Sequence, residues 1–222
     1  MNKKYIIVIL FILILLRNDE TIFSKYYDHI TIIDNPTEMD VIVNKMYKLN
    51  SNYIPKNLSK IDTRYAYDDK YLIEEAKNSF EQLSKDAKRN GYNIIVVSAY
   101  RDYNYQDKLY QKYINEKGLA YADKCSARPG HSEHQTGLSI DVMGSNNDYN
   151  IFDKSKEFKW MKDNAHKYGF IMRYPKNKEY ITGFKYEPWH YRYVGINIAK
   201  KIYENNITLE EYKRRNWLIK YR

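Results

Sequence analysis

The chain has few of the features that mark several large classes of protein. Its 222 residues include one cysteine, Cys125, so they can form neither an internal disulfide nor a thiolate-rich structural metal site. The longest apolar run, residues 5–16, is shorter than the roughly 20 residues of a membrane-spanning helix. No internal repeat or low-complexity block is visible. These absences favour one globular domain of ordinary size, long enough for a substantial core.

The apolar run at the N-terminus has charged residues on both sides. Lys3 and Lys4 precede residues 5–16, and a charged stretch follows them, a pattern typical of the hydrophobic region of a signal peptide. No small-x-small cleavage pattern follows, which favours an uncleaved anchor over a cleaved signal. A buried core helix or strand is the alternative, and the flanking charges argue against it. We expect residues 1–24 to be a signal peptide or membrane anchor.

The remaining composition is that of a folded, basic protein. Hydrophobic residues make up 43% of the chain and aromatic residues 16%, including 25 tyrosines, which argues against disorder. The net charge of +9 suggests anionic surroundings, either nucleic acid or the anionic polymers and lipids of a bacterial envelope. The lysines are scattered and no nucleic-acid motif is present. We expect residues 25–40 to be a tether and residues 41–222 to be the folded domain.

Hydrophobic periodicity and turn residues predict an α+β domain. Helices and strands occur in separate runs with hairpin-like joins, which indicates a small antiparallel sheet flanked by helices. Helices are predicted over residues 69–89, 105–117, 153–169 and 195–206, followed by a terminal helix that starts at the capping box Thr208-Leu209-Glu210-Glu211. Extended segments are predicted over residues 41–55, 93–99, 138–142, 170–175 and the stretch that contains Glu187 and His190, with a loop at 177–183.

The segment over residues 128–144 concentrates side chains that can do chemistry. It contains His131, His134 and Asp141 within a stretch that has little room for an ordinary helix. Residues 138–142 alternate apolar and polar side chains, which predicts a half-buried strand with Asp141 on its polar face and His134 just before it. A histidine nitrogen and a carboxylate oxygen can hold a divalent metal if a third ligand joins them.

A second segment can supply that ligand. Pro188 excludes a helix interior, so Glu187 and His190 lie on an extended stretch. Two nitrogens, one oxygen and an open fourth position describe a catalytic zinc site. An individual histidine is more often a surface or core residue, so the spacing alone leaves both interpretations open.

Three motifs give the chain a resemblance to a known family. They are Ser-Glu-His-Gln-Thr-Gly-Leu-Ser-Ile-Asp at 132–141, Glu-Pro-Trp-His-Tyr-Arg-Tyr at 187–193 and Ser-Ala-Tyr-Arg-Asp-Tyr-Asn-Tyr-Gln at 98–106. Together they resemble the zinc D-alanyl-D-alanine carboxypeptidases of the VanY type, over roughly residues 42–204. The resemblance implies a zinc site in a cleft on the sheet. At the metal and catalytic positions the chain does not depart from the family's pattern.

The resemblance also implies the roles of individual residues. His134, Asp141 and His190 would bind one zinc ion that activates a water molecule, and Glu187 would be the general base. Arg101 would hold the C-terminal carboxylate of the substrate. An arginine after a strand is more often a surface ion-pair partner, but a guanidinium can hold a carboxylate with two parallel hydrogen bonds.

Further residues complete the expected cleft. Gln106 and Ser132 would join Arg101 in binding the substrate carboxylate, in the pattern of the family. Trp189 and Tyr191 are expected to form walls of the cleft, and His131 either to support the metal ligands from behind or to be structural.

The function implied by the resemblance is release of C-terminal D-alanine from peptidoglycan stem peptides by cleavage of D-Ala-D-Ala. One alternative is an L,D-carboxypeptidase that trims the tetrapeptide stem. Another is a non-catalytic wall-binding module, against which the intact Glu187 argues. We expect an extracytoplasmic monomer at the bacterial cell envelope, attached to the membrane through residues 1–24. An export signal also argues against a nucleic-acid partner.

Overall fold

A computed structural model describes residues 26–145 and 148–220 of the chain. The predicted signal peptide or anchor, residues 1–24, lies outside them. The described strands are β1 Thr31–Ile32, β2 Tyr47–Lys48, β3 Leu58–Lys60, β4 Tyr71–Ile73, β5 Ile95–Ser98, β6 Ser139–Met143, β7 Phe170–Tyr174 and β8 Glu187–Tyr193. The α-helices are α1 Glu74–Arg89, α2 Tyr103–Lys117, α3 Leu119–Cys125, α4 Lys156–Asn164, α5 Glu179–Thr182, α6 Ile196–Asn205 and α7 Leu209–Lys220. Three 3₁₀ helices cover Glu133–Thr136, Tyr149–Lys154 and Ala165–Tyr168.

The main sheet has four antiparallel strands in the order β5-β6-β8-β7. The predicted small antiparallel sheet is therefore confirmed. Strand β6 lies inside the sheet, between β5 and β8, and is buried along its whole length. Its register with β8 places Asp141 directly opposite His190. Residues 49 positions apart in the chain thus become neighbours in the sheet.

Helix α1 contributes much of the main core. Its side chains at three- and four-residue steps, Ala76, Phe80, Leu83 and Ala87, are all inaccessible to solvent, as the predicted amphipathic stripe requires. Burial of a side chain such as phenylalanine or leucine contributes roughly 1.5–3 kcal/mol. Phe80 meets Phe170 of β7 edge-to-face, with ring centroids 6.1 Å apart.

The start of this first helix was predicted five residues too early. Residues 71–73 form β4, which pairs with β3 through Leu72 and Ser59, so the helix begins at Glu74. Leu72 is buried as predicted, but on a strand. A single buried leucine fits the period of either element, and pairing with a distant strand decided between them.

The bounds of several other elements also differ from the predicted ones. Helix α2 begins at Tyr103 because Asp102 caps it, accepting a hydrogen bond from Tyr105 N at 2.6 Å. The helix predicted over 153–169 divides into two 3₁₀ helices around α4, and the loop predicted over 177–183 contains the short α5. Only β2 is a strand within 41–55. The other predicted helices and strands are confirmed within a few residues.

The last helix begins with the capping box that the sequence predicts. Thr208 N donates to Glu211 Oε2 at 2.8 Å, and Glu211 N donates to Thr208 Oγ1 at 3.2 Å. This reciprocal pair satisfies two backbone donors that would otherwise lack partners at the start of α7.

Residues 26–40, the described part of the predicted tether, lie against the domain. Tyr27 is buried, its ring meets His131 edge-on at 5.0 Å, and the Arg128 guanidinium lies 3.9 Å from its centroid. Strand β1 pairs with β2. This polar segment was expected to be a tether, and it lies against the domain because the buried Tyr27 anchors it. Within residues 26–145 and 148–220, no helix is both long and apolar enough to cross a bilayer.

Candidate metal centre and active site

The three predicted metal ligands come together on the sheet. Asp141 in β6 faces His190 in β8, and His134 lies on the 3₁₀ helix just before β6. His134 Nε2 is 3.4 Å from Asp141 Oδ2, and His190 Nδ1 is 3.0 Å from Asp141 Oδ1. One ligand atom from each residue lies within 4.8 Å of the others. This arrangement suits a single ion held by two nitrogens and one oxygen.

A backbone hydrogen bond fixes the orientation of His134. Its Nδ1 lies 2.7 Å from the carbonyl oxygen of Ala99. A carbonyl can only accept, so Nδ1 carries the hydrogen and Nε2 keeps its lone pair toward Asp141. Burial, with a smaller effect of Arg101, lowers the pKa of His134 to about 4. The imidazole is therefore neutral at physiological pH, as a metal ligand must be.

The site has a strong preference for positive charge. Burial would lower the pKa of His190, but its contacts with the carboxylates of Asp141 and Glu133 outweigh burial and raise that pKa to about 9. Burial of Asp141 is likewise outweighed, by His134 and His190, and its pKa lies well below the usual range. A divalent cation could replace the proton on His190 Nδ1. The residues present therefore fit zinc.

Glu187 lies beside this cluster and is positioned by the start of β8. Its Oε2 is 4.0 Å from His190 Nδ1, and its side chain is 13% exposed to the same cavity. Burial raises the pKa of Glu187 to about 7, and the nearby His190 opposes the shift. A carboxylate with this pKa can both accept and return a proton near neutral pH.

Arg101 and Ser132 line the same cavity. Arg101 follows β5, and its backbone N–H donates to His134 O at 3.2 Å. Its Nη1 donates to Ser98 Oγ at 3.1 Å and is 3.9 Å from Asp141 Oδ2. Its Nε has no hydrogen-bond partner among the described residues. The Arg101 side chain is 19% exposed, so its guanidinium can present donors to a carboxylate in the cavity.

Gln106 is the predicted site residue that the structure places elsewhere. It is buried behind the cavity wall, with Nε2 donating to Ser126 Oγ at 3.1 Å and to Ala127 O at 2.8 Å. Ser126 and Ala127 line the cavity, and Gln106 does not. The sequence placed it correctly in the first turn of α2, but there its side chain supports the wall instead of facing the substrate space.

The cavity has a volume of about 560 Å³ and several aromatic side chains in its wall. Trp189 lines it, as predicted, and meets Tyr149 edge-on at 5.0 Å. The prediction for Tyr191 was wrong. Its ring packs in the core with Ile140 and Phe170, because successive residues of a strand point to opposite faces and His190 takes the cavity face. Further aromatic side chains of the wall are Tyr105, Tyr113, Tyr121, Tyr174 and Phe184.

A charged network behind His190 was missed by sequence reasoning. Glu133 contacts the buried guanidinium groups of Arg173 and Arg192 at 2.7 and 2.9 Å, and Arg173 also contacts Glu210. Charged residues are ordinarily expected at the surface. The one available signal was position, because Glu133 precedes His134 and Arg192 comes two residues after His190.

Known proteins share this fold and these motifs. The VanY family, D-alanyl-D-alanine carboxypeptidase, matches residues 69–196. The putative carboxypeptidase YodJ of Bacillus subtilis (strain 168) is 42% identical over 85% of this chain and 71% of its own length. This match covers more than the catalytic motifs alone.

Solved structures agree with the sequence comparison. The LdcB LD-carboxypeptidase is 42% identical, with a TM-score of 0.79, over 84% of this chain and 91% of its own. A mutant of the D,D-pentapeptidase VanY from the VanB-type resistance cassette, in complex with Zn(II), is 32% identical, with a TM-score of 0.67, over 80% of this chain and 99% of its own. With matches of this extent, the chain belongs to the VanY family of D-alanyl-D-alanine carboxypeptidases.

Proposed function

We propose that this protein is a zinc-dependent carboxypeptidase that releases D-alanine from the D-Ala-D-Ala end of peptidoglycan stem peptides. One observation carries the proposal. One cavity contains a three-ligand metal cluster, a largely buried carboxylate whose pKa is raised to about 7 and an arginine guanidinium. Each is a component that hydrolysis of a C-terminal peptide bond requires.

His134, Asp141 and His190 would hold the zinc ion. Zinc bound there supplies a Lewis acid that polarises the scissile carbonyl and lowers the pKa of a water molecule from 15.7 toward about 7. The Zn(II) complex of the related VanY supports the choice of metal. The cluster has no thiolate, and the nitrogen and oxygen set suits a zinc site that keeps an open position for catalysis.

Glu187 would move the proton. Its carboxylate takes a proton from the attacking water and delivers it to the leaving amine of D-alanine. Burial raises the pKa of Glu187 to about 7 in the metal-free cavity, and the positive charge of a bound zinc ion would lower it. Glu187 Oε2 lies 4.0 Å from His190 Nδ1. Glu187 is therefore next to the metal cluster, but its contact with His190 is longer than that of Asp141.

Arg101 would select a free C-terminus. Its guanidinium lies at the edge of the metal cluster, 3.9 Å from Asp141 Oδ2, where it can hold the substrate carboxylate by two parallel hydrogen bonds. Ser132 lines the same part of the cavity and can add a hydroxyl contact. Gln106 would keep this wall in place through Ser126 and Ala127.

L,D-carboxypeptidase activity on the tetrapeptide stem is the second candidate. The LdcB LD-carboxypeptidase is more similar to this chain, at 42% identity, than the D,D-pentapeptidase VanY, at 32%. The family description favours D-Ala-D-Ala as the substrate. Both reactions use the same metal, base and carboxylate grip, and they differ in the residue that precedes the released D-alanine.

We also propose where the protein works. Residues 1–24 would anchor it to the membrane, with the catalytic domain on the extracytoplasmic side of the bacterial envelope. The net charge of +9 suits the anionic polymers of a cell wall. The single cavity offers all the proposed catalytic groups within one chain, as a monomer requires.

D-alanine release from synthetic muramyl pentapeptide and tetrapeptide tests the proposal. We expect release from the pentapeptide, lost after chelation and restored by zinc. Release from the tetrapeptide alone would keep the mechanism and establish the L,D specificity instead. Absence of release from both peptides, with zinc demonstrably bound, would contradict the proposed reaction.

A further inference from the structure

The buried network behind His190 is balanced in charge and joins three distant parts of the chain. The side chains of Arg173, Arg192 and Glu133 are inaccessible to solvent. Arg173 donates to both oxygens of Glu210, at 2.6 and 2.9 Å. Two cations thus meet two carboxylates. Arg173 lies where the β7–β8 register shifts between Met172 and Tyr174, which turns its side chain inward.

The arginines fix the carboxylate of Glu133 in one orientation. Arg173 Nε and Arg192 Nη1 both donate to Glu133 Oε1, at 2.7 and 2.9 Å. The remaining donors of Arg192 reach the carbonyl oxygens of Met39, Val41 and Tyr193. Two charge-assisted hydrogen bonds to one oxygen, in a position inaccessible to solvent, hold the carboxylate in place.

The other oxygen of Glu133 faces the metal ligand. Glu133 Oε2 accepts from Ser139 Oγ at 3.2 Å and lies 3.5 Å from His190 Nε2. His190 Nε2 is buried and meets no partner with good hydrogen-bond geometry in the described part of the chain. The distance between Glu133 Oε2 and His190 Nε2 is therefore only a few tenths of an ångström longer than that of a good hydrogen bond. His190 Nε2 needs an acceptor, and Glu133 Oε2 can be that acceptor. On the other side of the ring, Nδ1 faces Asp141.

A need for stability alone does not explain such a network. Removing several charges from water is costly, and well-packed apolar residues often stabilise a core as much as a buried ion network does. A histidine that binds metal generally donates its second ring hydrogen to a carboxylate, a carbonyl or water, which fixes its tautomer and raises its basicity. Glu133 stands where that partner is required.

We propose that Glu133 is the positioning residue of His190, and that Arg173 and Arg192 hold its carboxylate in place for this role. By accepting from Nε2–H, Glu133 keeps the lone pair of Nδ1 directed at the metal cluster. The contact of Arg173 with Glu210 extends this support to α7, so the C-terminal helix is part of the framework of the site. This inference rests on the zinc site of the proposed function.

Glu133→Gln tests the assignment. A carboxylate accepts at both oxygens, whereas a carboxamide accepts at one and donates at the other. Glutamine must therefore present an N–H either to His190 or to the arginines. We expect the zinc dissociation constant, measured by competition with a chromophoric chelator, to rise about 10- to 100-fold. The visible absorption of the cobalt-substituted protein should change as well, because the ligand field at His190 changes.

Glu157→Gln is the matched control. Glu157 is another buried glutamate, outside the cavity, and it accepts from Ser145 Oγ. Its substitution should leave the zinc dissociation constant and the cobalt spectrum unchanged. A folded Glu133→Gln protein with wild-type zinc affinity would overturn the inference. Absence of zinc binding in the wild-type protein would instead overturn the proposed function.

Ser139→Ala keeps the test decisive if Glu133→Gln does not fold. It retains every charge and removes only the hydroxyl that holds Glu133 Oε2. We expect a folded protein whose zinc affinity is about 3-fold weaker, a smaller effect than the 10- to 100-fold loss expected when an outer-shell partner is removed altogether. Unchanged zinc affinity in this variant, together with an unchanged cobalt spectrum, would overturn the inference.

Discussion

An arginine and a glutamate lie on each side of the His190 ring, and the two pairs differ in whether the arginine is hydrogen-bonded to the glutamate. On the cavity side, Arg101 Nε has no hydrogen-bond partner among the described residues, and none of their cations is hydrogen-bonded to Glu187, whose Oε2 lies 4.0 Å from His190 Nδ1. On the buried side, Arg173 and Glu133 share a 2.7 Å hydrogen bond. The pKa of Glu187 is raised to about 7 by burial, whereas the pKa of Glu133 is held well below its usual range by two guanidinium groups.

This contrast separates reactive groups from supporting groups. Glu133 is inaccessible to solvent and Glu187 is largely buried, with a side chain 13% exposed, so burial alone does not decide whether a carboxylate titrates near neutral pH. The deciding difference is the number of paired cations. The negative charge of the carboxylate that must exchange protons is balanced by few nearby cations. The negative charge of the carboxylate that must hold a ligand in place is balanced by the guanidinium groups bound to it. Substitutions on the two sides should therefore affect different properties.

Glu187→Gln should cause the largest loss. Removing a general acid–base typically costs about 100- to 10,000-fold in rate, while the zinc ligands remain intact. We expect D-alanine release to fall by that range and zinc content to stay at the wild-type level. Zinc analysis and peptide hydrolysis on the same sample measure both. Activity within a few-fold of wild type would show that Glu187 is not the base.

Arg101→Lys should have the next largest effect. A charge-assisted hydrogen bond contributes about 1.5–3 kcal/mol, so kcat/KM should fall about 10- to 100-fold, mainly through KM. The wild-type preference for a free C-terminal carboxylate over a C-terminal amide should shrink by a similar factor. If the variant keeps the full preference, another residue binds the carboxylate.

The pH dependence should reveal the unusual state of Glu187. The ionised carboxylate is the base, so kcat/KM should fall about tenfold per pH unit below its pKa and level off above it. The raised pKa of about 7 applies to the metal-free cavity, and the positive charge of zinc lowers it. The acidic limb should therefore lie between pH 4.5 and 7. The limb should disappear in the residual activity of Glu187→Gln.

Gln106→Ala distinguishes a wall support from a substrate contact. Loss of its hydrogen bonds to Ser126 and Ala127 should cost about 1–2 kcal/mol of folding free energy, with only a few-fold rise in KM. Denaturant unfolding and steady-state kinetics test the two quantities separately. A loss of kcat/KM as large as that of Arg101→Lys, at unchanged stability, would restore the direct contact expected from the sequence.

The smallest effect is expected at the start of α7. Thr208→Ala removes an N-cap hydroxyl, which typically costs about 1 kcal/mol of stability. Zinc affinity should be unchanged, because Glu210 still reaches Arg173. Denaturant titration measures the first quantity and chelator competition the second. A large loss of zinc affinity would mean that helix position matters to the site far more than the contacts indicate.

The sequence predicted the metal cluster in two steps. His134 and Asp141 lie within one loop-strand unit, and Pro188 restricted the second segment to an extended form, but this spacing left the metal site open. The resemblance to the VanY-type enzymes then implied the full ligand set of His134, Asp141 and His190. The register that places Asp141 opposite His190 depends on long-range pairing, which local patterns alone do not determine.

The sequence could not predict what depends on tertiary burial. Gln106 was correctly placed in a helix, but whether its side chain faces the cavity depends on how α2 packs. Glu133, Arg173 and Arg192 look like surface charges in the sequence, and their burial follows from pairing across distant elements. Tyr27 was likewise assigned to a tether because its partners, Arg128 and His131, lie far along the chain.

Zinc titration of chelator-treated protein tests the central claim most directly. D-alanine release from the pentapeptide is measured as zinc is added back. We predict that activity rises linearly and reaches a sharp plateau at one equivalent of zinc, because His134, Asp141 and His190 form one site. Activity that survives chelation, or that rises without any plateau near one equivalent, would contradict a single catalytic zinc ion.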